Sequence, residues 1–280
     1  MHFDELEQRI PIALKDSKEK RKLMCTYTNP PPHIFNVRGP EYLKLSKGQK
    51  NVLNLKIPSK ESPYTLIGVN MYESPVKITH SVKQIGVINR HFESHPPDKP
   101  DAVYPRFLVI NWLLNSLFRG GYYVVQHVFE LADPNHKDEA QDTAFLRFKN
   151  SDEAGKNSQL KFIVYVVDAP YIVRKTINGL GGEKPVLIAN RVKTTYQTGK
   201  NHLEINMDVS SSRIASMMID LLLKNMENCL LDCAWLMEGQ KDEELPERVL
   251  SKIRWAWNSV EMVLLKLDEG GELIPEGRLS

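Results

Sequence analysis

Residues 160–208 constrain the fold more than any other part of the sequence. They contain the successive short β-rich segments "LKFIVYVVDA", "YIVRKTI", "VLIANRVKTTYQ" and "HLEINMDV". The connections between these segments have hairpin length, and most of them contain glycine. Such segments, close together along the chain, are typical of an antiparallel meander. The sequence therefore predicts an antiparallel sheet in which consecutive strands lie side by side.

A long helix is predicted directly after this meander, over 212–237. Its apolar residues recur with the 3.6-residue period that places them on one helix face. They are Ile214, Met217, Met218, Leu221, Leu222, Met226, Cys229, Leu230, Cys233 and Leu236. A serine among 210–212 would cap the start of this helix, and Gly239 would end it. A second helix is predicted near "DEELPERVLSKIRWAW", which has acids and a proline in its first turn.

These elements predict an α+β fold, with a curved antiparallel β-sheet packed around the long C-terminal helix. If the sheet closes on the helix, the interior contains a cavity. The domain is predicted to span 35–265. Residues 1–34 are predicted to form a short amphipathic helix and a proline-rich linker, because "NPPPH" cannot stay helical. Residues 266–280 are predicted to be an acidic tail.

The composition excludes some classes of partner. A formal net charge of +2 over 280 residues is too small to indicate nucleic acid as the main partner. The charge is unevenly spread, however, because the segment "KDSKEKRK" makes the N-terminal part basic. Lys18, Lys20, Arg21 and Lys22 of this segment are predicted to attract an anionic membrane surface, although a solvated surface of mixed charge is the simpler interpretation.

The cysteines and the hydropathy indicate an intracellular chain. Three cysteines, Cys25, Cys229 and Cys233, do not make a disulfide framework. The first ten residues contain acids where a secretory signal would be apolar. No uninterrupted run reaches the roughly 18 apolar residues of a membrane-spanning helix. We therefore expect a cytoplasmic protein whose membrane contact, where it occurs, is peripheral.

Two short motifs resemble ligand sites only superficially. "HFESH" (91–95) has its glutamate in the wrong place for a zinc-protease helix, and prolines follow at once, which predicts a polar loop. "NGLGG" (178–182) joins strand to strand in the predicted meander, whereas a phosphate loop needs a helix behind it. We predict neither a metal site nor a cofactor site.

A row of polar residues on the last meander strand has two readings. The row consists of His202, Glu204, Asn206 and Asp208. Two acids and a histidine on one face could be a catalytic row. If "TGKN" is the hairpin loop, however, Arg191 opposes Asp208 and Lys193 lies diagonal to both acids, which accounts for them as cross-strand ion pairs. The ion-pair interpretation is the more common one for such rows.

Asp232 lies within the apolar sequence "CLLDCAWL". A buried carboxylate needs a partner, because an unpaired one is costly. Arg174 is a candidate partner if the two side chains face each other. An exposed position on the edge of the predicted helix is the alternative.

Several segments in this order resemble the C-terminal domain of the plant enhanced disease resistance 2 proteins. They are "FNVRGPEYL", "APYIVRKTING", "KTTYQTGKNHLEINMDVSSSRIA", "LLDCAWLMEGQ" and "EELPE". The resemblance runs from about Phe35 to about Arg254 and is most specific after Leu160. That domain is known as one of unknown function. In the plant proteins it follows phosphoinositide-binding and START lipid-transfer modules. The resemblance therefore implies an association with lipid signalling or transport, and a START-like helix-grip fold is expected.

Three functions follow as hypotheses. The first is a non-enzymatic domain that binds a lipid or another apolar small molecule at intracellular membranes. The residues predicted to line its cavity or contact the ligand are Val166, Arg174, Met207, Met217, Met218, Leu221 and Asp232. The second is a protein-interaction module with a filled core and an exposed apolar patch around Trp255 and Trp257. The third is an enzyme with Asp232, Glu204 or Asp208 as general base.

Overall fold

The fold is built from two sheets packed face to face, with further layers on their outer sides. A computed structural model describes residues 26–46, 55–115, 121–179, 182–256 and 264–274. Its strands are β1 Thr26–Thr28, β2 Asn36–Arg38, β3 Lys56–Pro58, β4 Tyr64–Ser74, β5 Phe107–Asn115, β6 Tyr122–Leu131, β7 Leu160–Asp168, β8 Val186–Leu187, β9 Lys193–Thr198, β10 His202–Asp208, β11 Leu230–Met237, β12 Val249–Ala256 and β13 Leu264–Lys266. This architecture confirms the predicted α+β class with mostly antiparallel strands.

The two large sheets contain most of these strands. The first has five strands in the order β1-β12-β11-β7-β8, all antiparallel. The second has six strands in the order β13-β4-β6-β5-β10-β9, in which β10 runs parallel to β5 and β13 runs parallel to β4. A separate hairpin pairs β2 with β3. The predicted single meander is therefore divided between two sheets, because β7 joins the first and β9 and β10 join the second.

The space between the two large sheets is the inter-sheet core. Alternation along β10 directs Leu203, Ile205 and Met207 into it, and all three are buried. Trp235 of β11 is fully buried there, with ring centroids 5.3 Å from Phe162 and 6.1 Å from Phe129. Rings from both sheets therefore fill the space between them.

The described helices lie outside this core. They are α1 Tyr42–Leu45, α2 Ser81–Gln84, α3 Gly86–Ser94, α4 Glu139–Asn150, α5 Glu153–Asn157, α6 Tyr171–Gly179 and α7 Arg213–Asn225. Helices α2 and α3 cover the outer face of the six-stranded sheet with Val82, Ile85, Ile88 and Phe92. The β2–β3 hairpin covers the outer face of the five-stranded sheet.

The predicted helix over 212–237 is wrong in its second half. Helix α7 ends at Asn225, a short 3-10 turn follows over Met226–Asn228, and Leu230–Met237 form strand β11. Both faces of β11 are covered, so the strand is an almost continuous apolar run whose periodicity cannot distinguish it from a buried helix. The predicted curved sheet around a long helix is corrected accordingly.

Three other predicted elements also differ. The segment expected to form a second C-terminal helix is strand β12 after a 3-10 turn over Asp242–Glu244. "YIVRKTI" is not a strand but begins helix α6, with Val173 and Ile177 buried one turn apart. "HFESH" is not a loop, since its first four residues close helix α3. In each case tertiary burial, rather than local propensity, selects the element.

The folded part of the chain extends beyond the predicted boundaries of 35 and 265. Strand β1 pairs with the end of β12. After β13, Leu267 is buried, and the carbonyl of Gly271 accepts a hydrogen bond of 3.0 Å from the Gly86 amide. Gly271 has a φ of 81°, and a Cβ there would lie 1.8 Å from the Gln84 carbonyl oxygen, so only glycine fits. Residues 267–274 therefore belong to the fold. The predicted helix within 1–34 lies outside the described residues.

His127 makes the inter-sheet core sensitive to acid. Its ring is fully buried, with centroids 5.4 Å from Trp235 and 5.2 Å from Trp255. Burial penalises the charged imidazolium and lowers the pKa of His127 from 6.5 to about 3. Burial likewise lowers the pKa of His202 to about 4. Between the lowered pKa values and pH 6.5, each of these two histidines therefore binds more protons in the unfolded chain than in the folded chain.

We predict that the free energy of unfolding is greatest above pH 6.5 and falls as the pH decreases toward 4. Each of these two histidines contributes a slope of up to about 1.4 kcal/mol per pH unit. His127→Leu removes one of the two titrating groups, so it should lower the slope of the unfolding free energy against pH by up to about 1.4 kcal/mol per pH unit. Urea denaturation at several pH values measures this slope. Phe129→Leu is the matched control, since it disturbs the same core without removing a titrating group. An unchanged slope in His127→Leu would contradict the prediction.

Candidate functional site

The polar row on β10 is paired differently from the predicted register. Asp208 lies opposite Lys193 and Glu204 lies opposite Gln197, a shift of two residues from the predicted pairing. Arg191 is therefore not the cross-strand partner of Asp208. The Asp208 carboxylate instead accepts a hydrogen bond of 2.8 Å from Lys77 Nζ. Burial raises the pKa of Asp208, but the bonds from Lys77 and Ser210 outweigh this effect and lower it.

Glu204 accepts hydrogen bonds from Ser81, the first residue of helix α2. Its side chain is buried, and Oε1 accepts bonds from the Ser81 amide at 2.6 Å, the Ser81 hydroxyl at 3.0 Å and Asn111 Nδ2 at 2.8 Å. Burial raises the pKa of Glu204, while these bonds oppose that effect. The neutral donors surrounding the carboxylate connect the helix layer to the sheet. This geometry gives Glu204 a structural role.

The Glu204 network belongs to a polar row that crosses the six-stranded sheet at one level. Neighbouring strands bring together Thr195, Asn206, Asn111, Gln126 and Asn70 as successive register partners. Side-chain bonds of 2.7 Å from Asn111 to Asn206 and 3.0 Å from Asn70 to Gln126 run along this row. Because a one-residue slip would break every link, the row fixes the strand register.

Asp232 lies in the other sheet and has a different partner from the predicted one. Both of its oxygens accept bonds from the Arg254 guanidinium, at 2.6 and 2.7 Å. Arg254 is the cross-strand neighbour of Asp232 on β12. Arg174 instead donates to the backbone carbonyls of Val166 and Ala169 at 3.2 and 3.1 Å. The proposed Asp232–Arg174 pair is therefore wrong.

The residues predicted to line a cavity do not converge on one interior space. Met207 is buried in the inter-sheet core, and Val166 on β7 is half-buried. Met218 and Leu221 of α7 are half-buried, whereas Met217 is 58% exposed. A cavity of about 10 Å³, at the lower limit of the volume that admits one water molecule, lies elsewhere and is lined by residues such as Gln141, Met237 and Glu247.

Helix α7 directs apolar side chains to solvent as well as to the core. Its inner side packs against the inter-sheet core through Ala215, Ile219, Leu222 and Leu223. On the outer side, Ile214 is 68% exposed. A soluble helix normally has charged and polar residues on its outer face.

A second helix, in contact with α7, also exposes apolar side chains. Helix α6 contacts α7, and its Tyr171 and Ile172 are 78% and 50% exposed. Val167, at the end of β7 just before α6, is 47% exposed. We call Val167, Tyr171, Ile172, Ile214 and Met217 the α6–α7 face. Sequence periodicity identified the apolar residues of α7 but could not reveal that two of them, Ile214 and Met217, face solvent.

Arg38, in the segment "FNVRGPEYL", belongs to a buried ionic cluster that the sequence did not reveal. Glu247 accepts bonds from Lys161 Nζ at 2.7 Å, the Gly239 amide at 2.9 Å and the Arg38 amide at 3.2 Å. Arg38 also lies 3.2 Å from Glu238. This cluster joins the β2–β3 hairpin to the loop between β11 and β12. Its members are distant in sequence, so no local pattern could have indicated them.

We predict that Glu247→Ala lowers the free energy of unfolding by about 3–5 kcal/mol, because it leaves buried donors unpaired. The Glu247 side chain is 1% exposed. Glu243→Ala, at an exposed position two residues beyond Lys241 in the same loop, is the control and should cost at most about 0.5 kcal/mol. Urea denaturation of both variants measures the difference. Equal stability of the two would contradict a structural role for the cluster.

The part of the chain that the structure describes contains no group of three or more His, Cys, Asp or Glu residues able to hold a metal ion. Its helices are too short or too polar to cross a bilayer.

Comparison with known proteins assigns the family. The sequence matches the family described as Protein ENHANCED DISEASE RESISTANCE 2, C-terminal, over residues 27–257. It is 33% identical over 110 residues to an Arabidopsis thaliana protein described as Protein ENHANCED DISEASE RESISTANCE 2-like. That alignment covers 39% of this chain and 15% of the Arabidopsis protein. No solved structure matches the chain. Because the family match covers most of the chain, the chain belongs to the family of the ENHANCED DISEASE RESISTANCE 2 C-terminal domain.

Proposed function

We propose that this domain is a non-enzymatic lipid-binding module that attaches to the surface of intracellular membranes through the α6–α7 face. The observation that carries the proposal is the outward-facing apolar surface of two adjacent helices, in which Ile214 is 68% and Met217 is 58% exposed. Contiguous exposed apolar surface on a soluble domain marks a protein or membrane interaction site.

The chemistry of the face favours a membrane. Exposed Lys175 and Arg213 lie on the same two helices, where they can contact lipid headgroups while the apolar side chains enter the bilayer interface. Tyr171, the most exposed residue of the face, has an apolar ring and a polar tip, which suits the boundary between acyl chains and water. The arrangement resembles that of interfacial helices, which lie in the membrane plane.

The free energy that the apolar side chains contribute to membrane binding is modest. Full burial of a Val, Ile or Met side chain contributes roughly 1.5–3 kcal/mol. Val167, Ile172, Ile214 and Met217 are each about half exposed, so together they would contribute roughly 3–6 kcal/mol. An affinity of that order is reversible and peripheral, as for other single interfacial anchors.

Binding at the surface accounts for the described residues better than binding in a cavity. A START-like helix grip would place the apolar side chains of α7 around an enclosed ligand. Here Ile214 and Met217 face solvent, and contacting rings such as Trp112 and Phe162, with centroids 5.3 Å apart, lie between the sheets. The lipid is therefore proposed to remain in the bilayer.

The other hypotheses receive less support. A protein-interaction module would also need an exposed apolar surface, but the one predicted around Trp255 is buried, and Trp257 lies outside the described residues. The three acids that the enzyme hypothesis names as general base have separate partners. Glu204 bonds to Ser81, Asp208 to Lys77, and Asp232 to Arg254 in the other sheet. No shared site brings them together to act on one substrate.

We predict that the double variant Ile214→Glu, Met217→Glu binds phospholipid vesicles at least about tenfold more weakly than the wild type, since 1.4 kcal/mol corresponds to tenfold. Both side chains are exposed, so the fold should tolerate the change. Vesicle co-sedimentation measures binding, and thermal unfolding verifies the fold.

Leu146→Glu is the matched control. Leu146 is 38% exposed on α4, which packs near the opposite end of β11. It should bind vesicles as the wild type does. Failure of the wild-type protein to bind any vesicle would overturn the proposed function and favour a protein partner for the face.

A further inference from the structure

We infer that the β2–β3 hairpin and the neighbouring edge of the five-stranded sheet form a binding site for a phosphate monoester, in which Lys56 and Lys184 contact the anion. The phosphate group is carried either by a soluble small molecule or by a lipid headgroup. The inference goes beyond the proposed function, because the site lies apart from the α6–α7 face. It is derived from positive charge that the described residues do not neutralise.

The register of the β2–β3 hairpin places two cations side by side. Arg38 of β2 lies directly opposite Lys56 of β3. Like charges that are directly opposite on antiparallel strands destabilise the pairing unless other charges compensate them. The Arg38 guanidinium has such compensation, since it lies 3.2 Å from Glu238 and 3.7 Å from Glu247. Lys56 is half-buried, and none of the ion pairs among the described residues includes it.

A third cation occupies the same two carboxylates. Lys161 Nζ lies 2.7 Å from Glu247 and 3.1 Å from Glu238, and the Lys161 side chain is only 5% exposed. Arg38 and Lys161 therefore share both acids between them. The charge of Lys56, next to this pair of cations, stays without a counter-ion in the described part of the chain.

Lys184 adds a further positive charge beside Lys56. It is exposed on the segment that leads into β8, and Leu187 of β8 is the register partner of Lys161. Burial lowers the pKa of the Lys56 ammonium, and the neighbouring positive charges, including that of Lys184, lower it further. Because Lys184 is exposed and Lys56 is half-buried, an anion from solution can reach both ammonium groups.

The balance of charge favours a divalent anion. Four cations surround two carboxylates, so two positive charges remain. The cations are Arg38, Lys56, Lys161 and Lys184, and the acids are Glu238 and Glu247. Glu183, next to Lys184, instead accepts a hydrogen bond of 3.0 Å from the Val166 amide. A phosphate monoester carries a charge of roughly −1.5 to −2 at pH 7 and three acceptor oxygens, and lysine is a common phosphate ligand.

The site is separate from the surface proposed to contact the membrane. Lys161 and Val167 both belong to β7 and are six residues apart. A strand rises about 3.3 Å per residue, so roughly 20 Å separates the two positions. Lys56 and Lys184 can therefore be changed without altering the α6–α7 face, and the two proposals can be tested independently.

The test measures thermal unfolding of the full chain with and without inorganic phosphate at constant ionic strength. Phosphate should raise the Tm of the wild type by about 2–4 °C, since a ligand that binds only the folded chain stabilises it. The variant Lys56→Gln, Lys184→Gln should lose most of this shift. Without phosphate its Tm should equal or exceed that of the wild type, because the change removes like-charge repulsion. A lower Tm with an unchanged phosphate shift would show a purely structural role and overturn the inference.

A matched variant separates the site from total charge. Lys83 and Lys137 are exposed lysines elsewhere on the surface, and Lys83→Gln, Lys137→Gln removes the same charge. This control should keep the phosphate shift of the wild type. If it loses as much of the shift as Lys56→Gln, Lys184→Gln does, or if phosphate does not raise the Tm of the wild type, no site exists at the hairpin.

Two further probes distinguish the soluble source from the lipid source. Glycerol 3-phosphate carries the monoester in solution, and vesicles of three parts phosphatidylcholine to one part phosphatidic acid carry it in a bilayer. A Tm shift with glycerol 3-phosphate that requires Lys56 and Lys184 supports a soluble ligand. Vesicle binding that requires the same lysines supports a headgroup. The inference is overturned if neither response depends on them.

The membrane-face variant keeps this inference distinct from the proposed function. Ile214→Glu, Met217→Glu should retain the Tm shift with inorganic phosphate, because it leaves the hairpin unchanged. If it loses vesicle binding and keeps the shift, both proposals are supported. If it loses the shift while remaining folded, the phosphate does not bind at the hairpin.

Discussion

The packing of Trp235 between the two large sheets is the contact on which the rest of the structure depends. Its ring lies against His127 and Phe129 of one sheet and Phe162 of its own sheet. A side chain of this size, fully buried, fills the width of the inter-sheet core. With the centre filled by rings from both sheets, helix α7 packs only its inner side against the core, and Ile214 and Met217 remain exposed.

Buried charges connect the outer layers to this core. Glu204 attaches helix α2 to the six-stranded sheet, and Glu247 attaches the β2–β3 hairpin to the five-stranded sheet. Each carboxylate accepts several hydrogen bonds, so neither is an unpaired buried charge. The polar residues that suggested chemistry in the sequence therefore serve mainly to hold layers together. The apolar residues on the surface are the ones that point to function.

The wrong secondary-structure predictions share one physical cause. A strand that is covered on both faces loses the alternation that identifies strands, so "LLDCAWLM" has the appearance of a buried helix. Conversely, "YIVRKTI" is rich in β-branched residues but forms α6, since Val173 and Ile177 share the buried side of a helix. In both segments, the neighbours that decide the structure are distant along the chain.

The register of the β9–β10 hairpin shows how small an error can change a site. The alternation of β10 correctly separated Leu203, Ile205 and Met207 from the polar row. Its pairing with β9 is shifted by two residues from the prediction, so Lys193, and not Arg191, opposes Asp208. Ser81, which binds Glu204, is 123 residues away in the sequence. No pairing rule for a local hairpin could have identified it.

The sequence by itself determined the family, the α+β class and the inward face of β10, because these follow from local patterns and ordered motifs. Only the tertiary structure decided that two sheets enclose the core, that Asp232 pairs with Arg254, and that α6 and α7 expose apolar side chains. The reason is that periodicity shows which residues share a face but not what that face meets.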